Sequence, residues 1–123
     1  MDKQQLETTL ANFLKAWEDK DIDAVVNLLP DEFEYYESPL DEPLTSKEEV
    51  IKLWQPVPKT EANIALDFET VSIGKDYGLF RITGTYSETD VEKKYLIDRI
   101  FLLAIDDEGK MKKFMQWRES KEE

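Results

Sequence analysis

The sequence contains neither cysteine nor histidine among its 123 residues. Without cysteine, disulfide bonds and thiolate chemistry are both excluded. Without histidine, the chain lacks the side chain that most often serves as a general base or as a transition-metal ligand. The remaining oxygen donors show no calcium-loop spacing. The sequence therefore predicts no metal site and no cofactor.

Basic residues are also scarce, since 16 lysines and arginines stand against 28 acidic residues, for a formal net charge of −12. Such a surface repels nucleic-acid phosphates and anionic membranes, so the sequence predicts no nucleic-acid and no membrane partner. A solvated surface and a basic protein partner both stay open. No run approaches the ~20 apolar residues that span a bilayer, and the first five residues are polar rather than signal-like. A cytoplasmic protein fits these features.

The first half of the chain is predicted to be mainly helical, because its apolar residues recur at helical spacing. Ser46 and Glu49 form a capping box at the start of one of these helices. The predicted elements are a helix over residues 3–20, a helix between 21 and 30, a strand over 33–37 and a helix from 46 to 56.

The second half is predicted to form four long strands, because apolar and polar residues alternate there. Ile64 and Phe68 share one face, whereas Val71 and Ile73 have the opposite parity, so we expect a bulge near residues 69–70. Helices on one side of an antiparallel sheet define the α+β class. The predicted strands cover residues 64–73, 80–86, 95–105 and 110–118, which gives one domain over 1–118 and a charged tail over 119–123.

The strand over residues 95–105 is apolar on both faces. One face can pack on the helices, but the other face needs a cover as well. A second subunit packing sheet to sheet would supply it. The sequence therefore predicts a homodimer through the outer sheet face.

Several stretches resemble the SnoaL-like and ketosteroid isomerase-like domains of the nuclear transport factor 2-like superfamily. They include FLKAW at residues 13–17, DIDAV at 21–25, YYESP at 35–39 and DEGKM at 107–111. The resemblance implies a cystatin-like cone, in which a curved antiparallel sheet wraps around three N-terminal helices and encloses one pocket. Members of the superfamily differ in activity, so the fold does not settle the function.

The resemblance to the steroid isomerases can be followed residue by residue. Their catalytic carboxylate falls on Glu37, which makes Glu37 the candidate catalytic residue. Their two hydrogen-bond donors to the developing enolate fall on Phe13 and Phe101, which have no proton to donate. Each such donor is worth about 3–4 kcal/mol in the transition state. The resemblance therefore argues against steroid isomerisation.

The resemblance and the strand parity together predict an aromatic pocket with a few polar groups. Arg99, flanked by apolar residues, needs an acidic partner or a ligand, because a buried unpaired charge is costly. Arg99 or Arg118 could hold a carboxylate or phenolate, or neutralise Glu37. Asp98 has the opposite parity and is expected to face solvent or a dimer partner. The predicted ligand-binding residues are Phe13, Trp17, Tyr35, Trp54, Phe80, Ile82, Tyr86, Arg99, Phe101, Gln116 and Arg118.

Three functions are compatible with these residues. The first is the binding of a small, largely apolar or aromatic molecule. The second is catalysis by an isomerase, cyclase or lyase, with Glu37 as the general base. The third is a protein-interaction module that uses the acidic surface and leaves the pocket collapsed or filled by Trp54 and Phe101.

Overall fold

Helices pack against one face of a five-stranded sheet in the computed structural model, which describes residues 2–123. We call this the inner face. The predicted α+β class is confirmed, and the sheet is open and curved. The elements are α1 (Lys3–Glu18), α2 (Ile22–Asn27), β1 (Glu34–Tyr36), α3 (Lys47–Trp54), α4 (Val57–Thr60), β2 (Glu61–Ile73), β3 (Gly78–Glu88), β4 (Lys94–Ile105) and β5 (Met111–Glu122).

Side-chain caps set the starts of the main helices. Asp21 accepts a hydrogen bond from the backbone N–H of Ala24 at the start of α2, and the predicted Ser46–Glu49 capping box opens α3. Helix α1 ends two residues before the predicted position, and Lys20 beyond it has a left-handed φ of 56°. Over residues 2–123, none of the helices combines the length and the apolar character that crossing a membrane requires.

The strand order is β1-β5-β4-β3-β2, and strands β2 to β5 pair antiparallel as the sequence predicts. Strand β1 differs, because it pairs parallel with β5, with Tyr35 opposite Phe114. The sheet is therefore mixed rather than wholly antiparallel. A parallel pair needs a crossover connection, and the segment from α3 to β4 provides it.

Strand β2 contains the predicted bulge close to its expected place. The register against β3 shifts between Thr70 and Ser72, one residue beyond the predicted position. The shift brings Ile73 onto the core. Val71, which the alternation predicts to share that face, is exposed instead, because the extra residue of a bulge is left out of the pairing.

A second register shift in β2, between Ala62 and Ala65, is not predicted by the sequence. Asn63 lies within it and has a left-handed φ of 52°, a conformation that asparagine tolerates better than most residues. Gly84 of β3 lies against this bulge. A Cβ atom on Gly84 would lie 2.3 Å from the carbonyl oxygen of Ala65, so the close approach of the two strands requires glycine there.

Strand β5 is longer than the sequence predicts. It continues past Arg118 to Glu122, which pairs with Tyr95 of β4. Most of the predicted charged tail therefore belongs to the sheet. The backbone of β4 offers hydrogen bonds along its whole length, and charged side chains on an exposed stretch do not prevent that pairing.

Four aromatic side chains fill the centre of the core between the helices and the inner face. Phe114 stacks on Tyr35 at 4.6 Å between ring centroids and meets Phe101 edge-on at 4.8 Å and Phe13 at 5.3 Å. All four are almost fully buried. We call Phe13, Tyr35, Phe101 and Phe114 the aromatic cluster.

The outer face of the sheet is partly apolar. Trp117 is 41% exposed, and its cross-strand partner Ile100 and nearby Leu102 are half-buried. Asp98 is exposed on this face as predicted, and its two carboxylate oxygens accept hydrogen bonds of 3.0 and 2.6 Å from Arg81. Within residues 2–123 Trp117 stays exposed on this face, and the homodimer stays a prediction.

Candidate functional site

A cavity of ≈ 210 Å³ lies between the helices and the inner face of the sheet. The sequence predicts nine of its lining residues. The aromatic ones are Phe13, Trp17, Tyr35, Trp54 and Phe101, and the polar ones are Glu37, Arg99, Gln116 and Arg118. Ligand binding by these residues stays a prediction, but the fold brings all nine together.

Three other predicted ligand-binding residues lie outside this cavity. Phe80 and Ile82 are fully buried in the core, where Phe80 meets Phe68 edge-on at 6.1 Å. Tyr86 stacks on Tyr95 at 5.2 Å. Alternation places all three predicted residues on one side of β3, but it does not show how much of that side the other side chains cover.

Four polar side chains form a continuous hydrogen-bonded row along one wall of the cavity. The Nη1 of Arg99 donates to Oε1 of Gln116 at 3.0 Å, and the Nε2 of Gln116 donates to Oε2 of Glu37 at 3.0 Å. The Nη1 of Arg118 donates to Oε1 of Glu37. We call Arg99, Gln116, Glu37 and Arg118 the polar row.

The strand register explains why the polar row forms. Arg99 of β4 and Arg118 of β5 are direct cross-strand partners, and like charges in this position repel each other. Glu37 follows β1, which pairs with β5, so its carboxylate reaches Arg118 and offsets part of that repulsion. Gln116, only 3% exposed, connects the two charged ends.

The environment of Glu37 acts on its carboxylate in two directions. Burial raises its pKa above the ordinary value, whereas the charges of Arg118 and Arg99 and the hydrogen bond from Gln116 act to lower it. Burial has the larger effect. With 26% of its side chain exposed, Glu37 can exchange protons with solvent and still contact a molecule in the cavity.

Arg99 does not contact the acidic partner that the sequence predicts. No carboxylate among residues 2–123 lies within ion-pair distance of it. Its guanidinium carbon lies 4.6 Å from the centre of the Trp17 ring, and its buried Nε has no hydrogen-bond partner in that part of the chain. Burial lowers the pKa of Arg99 and the charge of Arg118 adds to this effect, whereas the charges of Glu61 and Glu37 act to raise it. The other predicted partner, a ligand, stays a prediction.

Glu61 is a cavity residue that sequence reasoning missed. Its Oε1 accepts a hydrogen bond from Nε1 of Trp17 at 3.1 Å, and its backbone oxygen accepts one from Nζ of Lys20 at 3.2 Å. The contact with Trp17 spans 44 residues and leaves no local signal. The single turn α4 places Glu61 here, whereas Pro56 and Pro58 in the sequence indicate only the end of a helix.

The other missed lining residues are apolar: Leu53, Val57 and Phe114. Leu53 and Val57 are four residues apart, a helical spacing that could have indicated a continuation beyond Trp54. Phe114 shares the parity of Gln116 and Arg118 on β5, so strand alternation already places it on the cavity face.

Tyr35 supplies a hydroxyl group at the cavity wall. Its oxygen accepts a hydrogen bond from Nε1 of Trp54 at 3.2 Å. Burial strongly raises its pKa, and the charge of Glu37 adds to this effect. The phenol therefore stays protonated over the whole physiological range and keeps a proton to donate.

The comparison of the sequence with known protein families supports the fold described above. The sequence profile described as a SnoaL-like domain matches residues 10–114. The chain belongs to the SnoaL-like family. No functionally curated protein matches the sequence of this SnoaL-like protein.

Solved structures share the fold of this SnoaL-like protein at low sequence identity. A putative isomerase from Bacillus subtilis is 12% identical with a TM-score of 0.83, covering 97% of this chain and 90% of its own. The epoxide hydrolase/cyclase-like enzyme SalBIII is 11% identical with a TM-score of 0.79, covering 96% and 93%. A hypothetical protein with a ketosteroid isomerase-like fold from Catenulispora acidiphila, in complex with trimethylamine, is 10% identical with a TM-score of 0.74, covering 89% of this chain and 83% of its own.

Proposed function

We propose that this SnoaL-like protein binds a small carboxylic acid with a single aromatic ring, and that Arg99 holds the carboxylate. The observation that supports this proposal is the state of Arg99 itself. The guanidinium is largely buried, contacts no carboxylate among residues 2–123 and has a buried Nε without a partner. A buried cation in this state is costly, and an anion entering the cavity would remove the cost.

The size of the cavity supports a single-ring molecule. Pockets for drug-sized ligands usually measure about 300–1,000 Å³, and the cavity here measures ≈ 210 Å³. An apolar cavity of about 150 Å³ is already large enough for benzene. A substituted benzene ring therefore fits this space, whereas a steroid does not.

The walls of the cavity suit an aromatic acid. Phe13, Trp54 and Phe101 offer ring faces and edges for a bound ring. The polar row, which includes Arg99, lies along one wall. The acid group and the ring of the ligand therefore each have a matching surface. Because Arg99 is largely buried, the attraction between a carboxylate and Arg99 is weakened less than it would be in water.

Replacing Arg99 with glutamine is expected to weaken benzoate binding at least about 30-fold, because removing one partner of a buried charge pair costs 2–5 kcal/mol. Isothermal titration calorimetry with benzoate, and with toluene as the uncharged analogue, measures the effect. The control Arg81→Gln removes an exposed arginine of the outer face and should leave benzoate affinity unchanged. Failure of benzoate to bind the wild type, or equal binding by a folded Arg99→Gln variant, would contradict the proposal.

A second candidate function is catalysis as an isomerase, cyclase or lyase, with Glu37 as the general base. Glu37 borders the cavity with a raised pKa, which makes its carboxylate a stronger base near neutral pH. Tyr35 keeps a proton that can stabilise developing negative charge on a substrate oxygen. The Tyr35 hydroxyl is a hydrogen-bond donor at the cavity wall, whereas the side chains of Phe13 and Phe101 have no proton to donate. The described activities of the isomerase and cyclase neighbours support the same possibility.

Glu37→Gln is expected to lower the rate of catalysed proton exchange at least about 100-fold, the usual contribution of a general base. Nuclear magnetic resonance of phenylpyruvate in deuterated water measures the exchange at the carbon beside the ketone. The wild-type rate should rise as pH increases through the raised pKa of Glu37, because only the carboxylate accepts a proton. Glu34→Gln is the matched control. Unchanged exchange in Glu37→Gln would refute the catalytic role.

We further infer that the protein forms a homodimer through the apolar part of its outer face. The half-buried Ile100 and Leu102 and the exposed Trp117 support this proposal, because adjacent exposed apolar side chains commonly mark an interface.

A cytoplasmic location stays a prediction. The interaction module predicts a collapsed or filled pocket, and the cavity lined by Trp54 and Phe101 supports a bound ligand instead.

A further inference from the structure

We propose that Glu61 is a second recognition residue of the cavity and selects aromatic acids that carry a hydroxyl or amino group over the unsubstituted acid. The inference rests on the proposed function, since it assumes that Arg99 holds the carboxylate. It adds a chemical requirement at another point of the same cavity.

Glu61 has unused capacity to accept hydrogen bonds. Its Oε1 accepts from Nε1 of Trp17, and its Oε2 accepts none from residues 2–123. A carboxylate offers about four lone-pair positions, so most of its capacity is open. The hydrogen bond from Lys20 to the backbone oxygen of Glu61 helps to hold this residue in place.

Trp17 keeps the two charges of this part of the cavity apart. Arg99 lies over the face of its ring, 4.6 Å from the centroid, whereas Glu61 lies at its N–H edge, 3.1 Å from Nε1. Arg99 and Glu61 therefore both contact the indole without forming an ion pair with each other. A molecule with an anionic group and a hydrogen-bond donor can satisfy both residues at once.

Glu37, the other carboxylate of the cavity, accepts more hydrogen bonds from the protein than Glu61 does. Arg118 donates to one of its oxygens and Gln116 to the other. Glu61 therefore has more free accepting capacity than Glu37 for a donor group on the bound acid. A site that accepts a hydrogen bond rejects an analogue without the donor, because its own polar group then stays unpaired.

The experiment measures affinity by calorimetry for benzoate, for the hydroxybenzoate and aminobenzoate isomers, and for phenol. We expect at least one substituted isomer to bind the wild type about 10- to 100-fold more tightly than benzoate, the usual effect of a hydrogen bond to a charged group. Glu61→Leu should remove this preference, so that benzoate and the substituted isomers bind this variant with similar affinity. Glu61→Gln, which keeps an acceptor for Trp17, should reduce it. Phenol binding should depend on Glu61 and not on Arg99.

The matched controls are Glu69→Leu and Glu69→Gln, which change an exposed glutamate on the same strand and should keep the preference. If benzoate binds through Arg99 but no substituted isomer binds more tightly, the role of Glu61 is wrong and the proposed function stands. The same holds if the preference survives in Glu61→Leu. If no acid binds the wild type, both proposals are overturned.

Discussion

Replacing Phe114 with alanine is expected to lower the free energy of unfolding by about 3–5 kcal/mol, the usual cost of removing a buried phenylalanine ring. A domain of this size is stable by only about 5–15 kcal/mol. The substitution would therefore remove a large share of the total stability. The side chain is 1% exposed, so removing the ring enlarges the cavity that Phe114 lines and deletes nearly all of its packing contacts.

Phe114 has this effect because it contacts every other member of the aromatic cluster. It stacks on Tyr35 and meets Phe13 and Phe101 edge-on. It also connects β5 to the short strand β1, whose residue Tyr35 is its register partner. Loss of the ring removes contacts between a helix and three strands at once.

Urea unfolding, followed by circular dichroism, gives the free energy of unfolding of the wild type and of Phe114→Ala. Tyr77→Ala is the matched control, since Tyr77 is an aromatic residue with 45% of its surface exposed, and its change should stay within about 0.5 kcal/mol. A loss below about 1 kcal/mol in Phe114→Ala would show that the cluster does not stabilise the core as described.

Replacing Trp117 with glutamate is expected to weaken dimerisation at least about 100-fold, because a charge without a partner in a buried interface costs several kcal/mol. In the single chain Trp117 is 41% exposed, so the substitution should change the fold of the monomer little. The apolar surface around it includes its partner Ile100 on β4. An effect on association without an effect on folding is therefore expected.

Sedimentation equilibrium over a wide range of protein concentration measures the dimer dissociation constant. Val91→Glu is the control, because Val91 is also an exposed apolar residue but lies in the loop between β3 and β4, away from the outer face. A wild type that stays monomeric at every concentration would contradict the dimer, and an unchanged dissociation constant for Trp117→Glu would contradict this interface.

Local signals explain which parts of the fold could be predicted from the sequence. The Ser46–Glu49 capping box and the helical spacing in α1 depend on residues a few positions apart, so the helices could be located closely. The opposite orientations of Asp98 and Arg99 follow from alternation in β4, which pairs with β3 without a register shift. The bulge near Thr70 could be located within one residue, because the parity of the apolar residues changes there.

The parts that could not be predicted depend on contacts between distant segments. The parallel pairing of β1 depends on where the chain returns after five other elements. The single turn α4 places Glu61 at the cavity. Pro56 and Pro58 indicate the end of a helix, so the sequence does not predict this turn. Alternation correctly places Phe80 and Ile82 on the inner face, but the packing of other side chains against them decides that they are core rather than cavity residues.

The two register shifts in β2 have a consequence for how the molecules behave in concentrated solution. Strand β2 is the long free edge of the sheet, and a free edge is a template to which a second molecule can add a strand. The shifts interrupt this template, and the exposed Asp67 and Glu69 place negative charge along it. The protein is thereby protected against edge-to-edge aggregation, whereas its outer face stays available for association.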